Sequence, residues 1–274
     1  MKEGIKRITT GFVFMVVVIA VLVINNSIVD SLFVTLLSIL GIYEYNRCFK
    51  AKGHHPVSII GYLSCLIIPL IGNISSQEIL RIILVGLPIL MVSMFAYIVI
   101  KQLKVTIIDV AITFFSILYV PFMFSFIKLL FIQPHGRILV IIAFVCATAT
   151  DTFAYEIGSR FGKHKLSPVV SPKKSIEGST AGIIAAMITT GVTCYIANTY
   201  FGTEFNIILM IFMGAIFSVV GQIGDLAASS IKRYCEQKDF SHLLPGHGGI
   251  LDRFDSIMFI SPILYVFMYL INLL

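Results

Sequence analysis

The sequence predicts an all-α fold, a polytopic integral membrane bundle of about nine transmembrane helices with its N-terminus in the cytoplasm. Three observations carry that reading. Of 274 residues, 58% are hydrophobic and the mean hydropathy is +0.97, more apolar surface than a soluble domain of this length buries. The apolar residues fall in runs of about 20, the length a helix needs to cross a hydrocarbon core about 30 Å thick. Strand-like alternation is absent from these runs, and lipid cannot satisfy open backbone, so the helix is the conformer they require.

The elements follow in chain order, with edges good to a few residues. The first run, residues 8–25, follows Lys2, Lys6 and Arg7 and has the outline of a signal peptide; with no small-residue cleavage site in Asn25-Asn26-Ser27, it is expected to stay as a span. Runs at 28–46, 56–73, 82–100 and 106–125 come next, then 138–158, 178–197, 206–223 and 254–273. Of 20 Lys and Arg, all but Arg81, Lys128 and Arg137 fall on the side shared with the N-terminus. Enrichment of bases in short cytoplasmic loops therefore orients the chain, and an odd number of spans puts the C-terminus outside. The expected organisation is a single membrane domain, 1–274, in which spans over 1–137 act as scaffold and spans over 138–274 carry a cytoplasmic-side catalytic region.

Charge and cysteine content exclude several function classes. The net charge of +6 sits in short gaps between apolar runs, so it reads as topology and gives no support to a nucleic-acid partner. The five cysteines form no CxxC pair, so neither a disulfide framework nor a zinc knuckle is implied. A zinc site from Cys235, His242 and His247 has irregular spacing and is disfavoured. Asp109, inside the fifth run, is an ionisable group at membrane depth; a place facing protein or a polar cavity and a snorkelling or protonated position near the cytoplasmic end both fit it.

Chemistry concentrates between Gly221 and Ser256. Asp225, Ser229 and Lys232 are spaced i, i+4, i+7 on one helical face, with Arg233 at its edge. Pro245-Gly246-His247-Gly248-Gly249 forms a loop whose bare backbone can approach a ligand closely. Asp252 and Asp255 then share a face at the start of the last span, flanking Arg253. A few hard carboxylates beside Lys and Arg suit Mg²⁺ shared with substrate phosphates better than a closed protein cage. A second constellation runs from Asp151 and Tyr155 through Gly158-Ser159-Arg160-Phe161-Gly162-Lys163 to Ser171-Pro172-Lys173-Lys174-Ser175-Ile176-Glu177-Gly178, with Pro168 and Pro172 breaking the helix. No GxxxxGK[ST] or GxGxxG is present, so any nucleotide would be held by metal, bases and loop backbone.

The run Ser229-Ser230-Ile231-Lys232-Arg233, then Lys238-Asp239, then Leu244-Pro245-Gly246-His247-Gly248-Gly249-Ile250-Leu251-Asp252-Arg253-Phe254-Asp255 resembles the signature of the phosphatidate cytidylyltransferases, the CDP-diacylglycerol synthases. DTFAY, FGKHKLSP and SPKKSIEG resemble that family's second conserved region, with Ser175 where Thr is usual and Thr180-Ala181-Gly182 in place of a glycine-richer run. The resemblance covers roughly residues 150–256. It implies an enzyme of phospholipid biosynthesis in the bacterial cytoplasmic membrane that converts CTP and phosphatidate to CDP-diacylglycerol and pyrophosphate, with Mg²⁺, room for a second metal ion, and a homodimeric assembly. Carried onto matching positions, Asp225, Asp252 and Asp255 become metal carboxylates. Lys232, Arg233, Arg253 and Lys173 become catalytic or phosphate-binding groups, and Ser229, Lys238, His247, Gly248, Gly249 and Asp151 line the substrate site. The rivals are a CTP-dependent polyprenol or phytol kinase, separated by its release of CDP, and a transporter, whose acids would lie near the bilayer midplane.

Overall fold

The computed structural model describes residues 2–68, 76–102, 104–246 and 248–271. Among them, six helices are long and apolar enough to cross a membrane. They are α2 (Ser27–Ala51), the continuous helix made by α5 (Ile107–Ile117) and α6 (Met123–Ile132), then α7 (Gly136–Phe161), α8 (Ile176–Phe201), α9 (Ile207–Tyr234) and α10 (Leu251–Ile271). Between α5 and α6 lies one π-helical turn, Leu118–Phe122, where Pro121 has no N–H to give to the ladder. Helices α1 (Lys2–Ile24) and α4 (Ser76–Ile100) coincide with the first and fourth apolar runs. The third run is helical as α3 over Ser58–Cys65, and its residues 69–73 lie outside the described residues. The bundle is that of a multi-pass membrane protein.

One departure from the all-α expectation is a small antiparallel hairpin, β1 (Lys165–Ser167) and β2 (Ser171–Ser175). The prolines explain it. Pro168 and Pro172 exclude a helix, and in a two-stranded sheet every strand is an edge, where the missing N–H of Pro172 does no harm.

The chain divides into two compact units, Met1–Leu129 with Phe240–Ile250, and Leu130–Asp239 with Leu251–Leu274. In the first, α2, α3 and α5 bury Val34, Leu37, Ile42 and Cys48, and Tyr45, Phe49, Phe115 and Tyr119 form an aromatic cluster. Gly61 lets α3 approach α2, since a Cβ there would stand 3.1 Å from Ile42. The two readings of Asp109 are decided here: its carboxylate accepts from the N–H groups of Thr106 (2.8 Å) and His55 (2.6 Å) and closes a capping box with Thr106 at the start of α5. Asp109 therefore fixes the α2–α3 connection. At the far end of the same unit Lys128 is buried and donates to the carbonyl (3.0 Å) and hydroxyl (2.8 Å) oxygens of Ser27, so α6 runs antiparallel to α2 and approaches its start.

The second unit is an up-and-down arrangement of α7, α8, α9 and α10. Its helices touch backbone to backbone because glycines sit at the crossings. A Cβ on Gly182 would meet the Thr150 carbonyl at 2.8 Å, one on Gly214 the Ala186 carbonyl at 2.9 Å, and one on Gly224 the Asp255 carbonyl at 2.5 Å. A polar seam runs between α7, α8 and α9: Thr150 donates to Ser218 (2.9 Å), and Gln222 joins Ser218 (3.3 Å) to Ser179 (2.5 Å). Outward positions such as Ile184, Ile188, Phe212, Ile216 and Ile223 are exposed and apolar, the composition of a surface solvated by acyl chains.

Candidate active site

Two capping interactions set the floor of the site, which lies where α7 and α9 end and α8 and α10 begin. Ser175 is the N-cap of α8, its hydroxyl accepting from the Gly178 N–H at 3.1 Å, so Ser performs the capping that Thr would. Glu177 reaches back to His164, accepting from its N–H and meeting its Nδ1 at 2.7 Å, while the Ile176 N–H bonds the His164 carbonyl at 2.9 Å. The hairpin is thereby pinned across the start of α8. Gly162 permits the closure, since a Cβ there would strike the Gly158 carbonyl at 2.3 Å and the Ser175 hydroxyl at 2.5 Å.

Alternation along β2 turns Lys173 and Lys174 to opposite faces. Lys174 is half-buried and forms an ion pair with Asp225; Lys173 is exposed. Asp225 lies within the 28-residue α9, a helix that continues past the 206–223 run and is long enough to project beyond the hydrocarbon. The predicted face holds: Ser229 donates to Asp225 at 3.4 Å, and one turn on Lys232 meets Asp252 of α10 at 2.6 Å, with the two side chains 11% and 3% exposed. Asp255, one turn along α10, is buried and feels the charges of Asp225, Asp151 and Lys232. Asp151, in the C-terminal half of α7, feels those of Asp225, Lys174 and Arg253. Residues 225 and 252 thus belong to one charged cluster at one end of the bundle.

Like-charged carboxylates gather here because Gly224 lets α9 and α10 meet at the level of Asp255. Opposed cations make that arrangement tenable, since an isolated charge so placed would be neutralised. Arg233 has a different task from the one expected of a phosphate ligand alone: its Nε donates to the Val170 carbonyl (3.4 Å) and its Nη1 to that of Gln237 (3.2 Å), tying the hairpin turn to the end of α9. A guanidinium has five donors, so others remain for an anion. Lys238 is exposed in the turn after α9.

The glycine loop is built within the N-terminal unit. Gly246 and Gly248 adopt φ of 79°, a left-handed conformation that glycine takes without strain, and the Leu244 N–H bonds the Gly248 carbonyl at 2.9 Å to pinch the loop. His247, at its tip in sequence, lies outside the described residues. The carboxylate of Glu44, fully buried on α2, accepts from the Ser241 hydroxyl (2.6 Å) and the Ile250 N–H (2.8 Å).

Lys174 and Glu44 are the two residues that sequence reasoning passed over. Strand alternation in SPKKS was the available signal for the first, and an acid inside an apolar run was the signal for the second. Among the described residues, no group of three or more His, Cys, Asp or Glu stands close enough to cage a metal ion. The donor set is instead one of single carboxylates beside cations, which suits an ion that takes the rest of its shell from substrate and water.

Comparison with known proteins agrees with this chemistry. Residues 5–271 match the model of the cytidylyltransferase family. The chain is 32% identical over 262 residues to the phosphatidate cytidylyltransferase of Staphylococcus haemolyticus (strain JCSC1435), covering 95% of this chain and 97% of that protein. It is 33% identical over 264 residues to the phosphatidate cytidylyltransferase of Staphylococcus aureus (strain COL), with the same coverage. The match is continuous through both the helical scaffold and the charged cluster, and the chain belongs to the cytidylyltransferase family.

Proposed function

We infer that this chain transfers the cytidylyl group of CTP to phosphatidate, giving CDP-diacylglycerol and pyrophosphate. The observation that carries it is the cluster at one end of α7, α9 and α10, in which Asp151, Asp225, Asp252 and Asp255 stand among Lys174, Lys232 and Arg253. The family and the printed names of relatives across the whole length point the same way.

The reaction must bring two polyanions together. A phosphate monoester is largely dianionic near neutral pH, so the nucleophile needs no strong general base. A phosphatidate oxygen forms a bond to the α-phosphorus of CTP; the bond from that phosphorus to the oxygen bridging toward the β-phosphorus breaks, and pyrophosphate leaves with the electron pair. What the protein supplies is position and charge neutralisation. Lys232, Arg253, the free donors of Arg233 and the exposed Lys173 and Lys238 offset phosphate charge, Ser229 adds a hydroxyl donor, and the backbone at His247, Gly248 and Gly249 offers amides. Asp225 and Asp252 would each offer a single carboxylate to Mg²⁺, with Asp255 in support and Asp151 as a neighbouring anion, and substrate and water would complete the shell. Bound there, the cation would screen the triphosphate and stabilise the departing pyrophosphate. Asp225 and Asp252 each already have a cationic partner, Lys174 and Lys232, which holds them in place for such an ion.

The same reading includes nine crossings with the N-terminus and the cluster on the cytoplasmic side of a bacterial membrane, and a homodimer. The distribution of bases supports the orientation, and soluble CTP then enters from the cytoplasm while acyl chains remain in lipid. Incubation of the purified chain with labelled CTP and phosphatidate tests the activity: pyrophosphate and CDP-diacylglycerol are expected, whereas release of CDP would replace transfer with a kinase reaction.

A further inference from the structure

Glu44 sits on a helix that contributes none of the acids and bases of the charged cluster, yet its carboxylate is the most completely enclosed acid among the described residues, at 0% exposure. A carboxylate in a membrane-spanning helix is retained only against a strong reason, because removing it from water costs several kcal/mol unless donors replace the solvent. The replacement donors come from both ends of one short loop. The Ser241 hydroxyl (2.6 Å) and the Ile250 N–H (2.8 Å) converge on the same oxygen, Oε1. Ser241 is itself held in place by accepting from the Leu243 N–H at 3.1 Å. Gly249 lies against the carboxylate so closely that a Cβ would stand 2.5 to 2.6 Å from Oε1, Cδ and Oε2. That glycine is therefore fixed by its neighbour as well as by any ligand.

We propose that Glu44 is a positioning residue for the transfer reaction: it ties the two ends of the Ser241 to Ile250 loop to one point and so sets the backbone of Gly248, Gly249 and Ile250, the segment that runs into Leu251 and Asp252 of α10. The proposal rests on the reading of this loop as part of the substrate site. A rigid anchor outside the reacting groups is what a glycine-rich loop needs, because glycine by itself gives the backbone no preferred geometry.

The test uses the full-length chain in detergent with four variants: Glu44→Ala, Glu44→Gln, Gly249→Ala and the double Glu44→Ala/Gly249→Ala. Amide hydrogen exchange over residues 240–250, thermal unfolding, and kcat and KM for CTP are measured for each. Loss of two charge-assisted hydrogen bonds in Glu44→Ala is expected to speed exchange in the loop and lower kcat/KM by about 100-fold. Glu44→Gln keeps an oxygen at the same place and is expected to stay within about fivefold of the parent, which a role based on charge alone would not allow. Gly249→Ala disrupts the same contact, so the double variant should be no worse than the poorer single variant. Faster exchange with unchanged kcat/KM would overturn the proposal and, with it, the loop's place in the substrate site. Lost activity with unchanged exchange, or multiplicative losses in the double variant, would overturn the proposal and leave the loop's role standing. Failure of Glu44→Ala to fold leaves the Gln and Gly249 variants to decide by the same criteria.

Discussion

Replacing Lys232 by Met removes the cation from the best-enclosed ion pair in the charged cluster. At 2.6 Å, and with side chains only 11% and 3% exposed, the pair has little solvent screening. Coulomb's law with an effective dielectric constant of about 20 gives roughly 6 kcal/mol of attraction, of which desolvation of the two groups cancels about half. Lys232→Met leaves Asp252 buried beside Asp255 without that cation, and a destabilisation of about 3 kcal/mol is expected. Asp252→Asn removes the anion from the same pair and should cost a similar amount. The double variant removes both charges, so it should be less destabilised than the two single losses added together, with a coupling of about 2 to 3 kcal/mol. Thermal unfolding followed with a thiol-reactive dye provides the assay, because Cys48, Cys65, Cys146, Cys194 and Cys235 are all buried as free thiols and become reactive on opening. Additive losses within about 0.5 kcal/mol would refute the pairing of Lys232 with Asp252 as an energetic unit.

Two further outcomes follow from the hairpin and the carboxylates. Lys174→Ala removes the partner of Asp225 and is expected to lower kcat by about 100-fold, whereas Lys173→Ala, exposed on the other face of β2, should chiefly raise KM for a phosphate-bearing substrate; the reverse pattern in steady-state kinetics would contradict the two assignments. Chelation of divalent metal should abolish turnover and Mg²⁺ should restore it, with no requirement for Zn²⁺; recovery with Zn²⁺ but not Mg²⁺ would contradict an ion held by a few hard carboxylates.

Much of this was legible in the sequence for a physical reason. Long apolar runs have one conformer open to them in lipid, so the positions of α2 and of α7 through α10 followed from composition, and helical spacing placed Asp225, Ser229 and Lys232 on one face before any coordinate was known. Pairings between distant segments were less accessible. Lys173 drew attention through its motif, but which of two adjacent lysines meets Asp225 depends on the register of a three-residue strand against a five-residue one. Glu44 and Ser241 are 197 positions apart, and only tertiary packing reveals that one anchors the other. Asp109 carried two opposed readings until its partners appeared, because an acid that faces protein and one that snorkels from the end of a span look alike in a sequence.

Of the three proposed metal carboxylates, Asp225 is the one whose replacement least disturbs the fold, its side chain being 26% exposed against 3% for Asp252. Transfer of label from α-phosphorus-labelled CTP into lipid by the parent chain and by Asp225→Asn, each checked for an intact unfolding transition, is therefore the most direct measurement. Labelled CDP-diacylglycerol from the parent and at least about a 1,000-fold slower rate from a folded Asp225→Asn are expected, because a neutral amide cannot replace an anionic ligand for a hard cation. A folded Asp225→Asn that labels lipid at close to the parent rate would contradict the assignment of the transfer to this cluster.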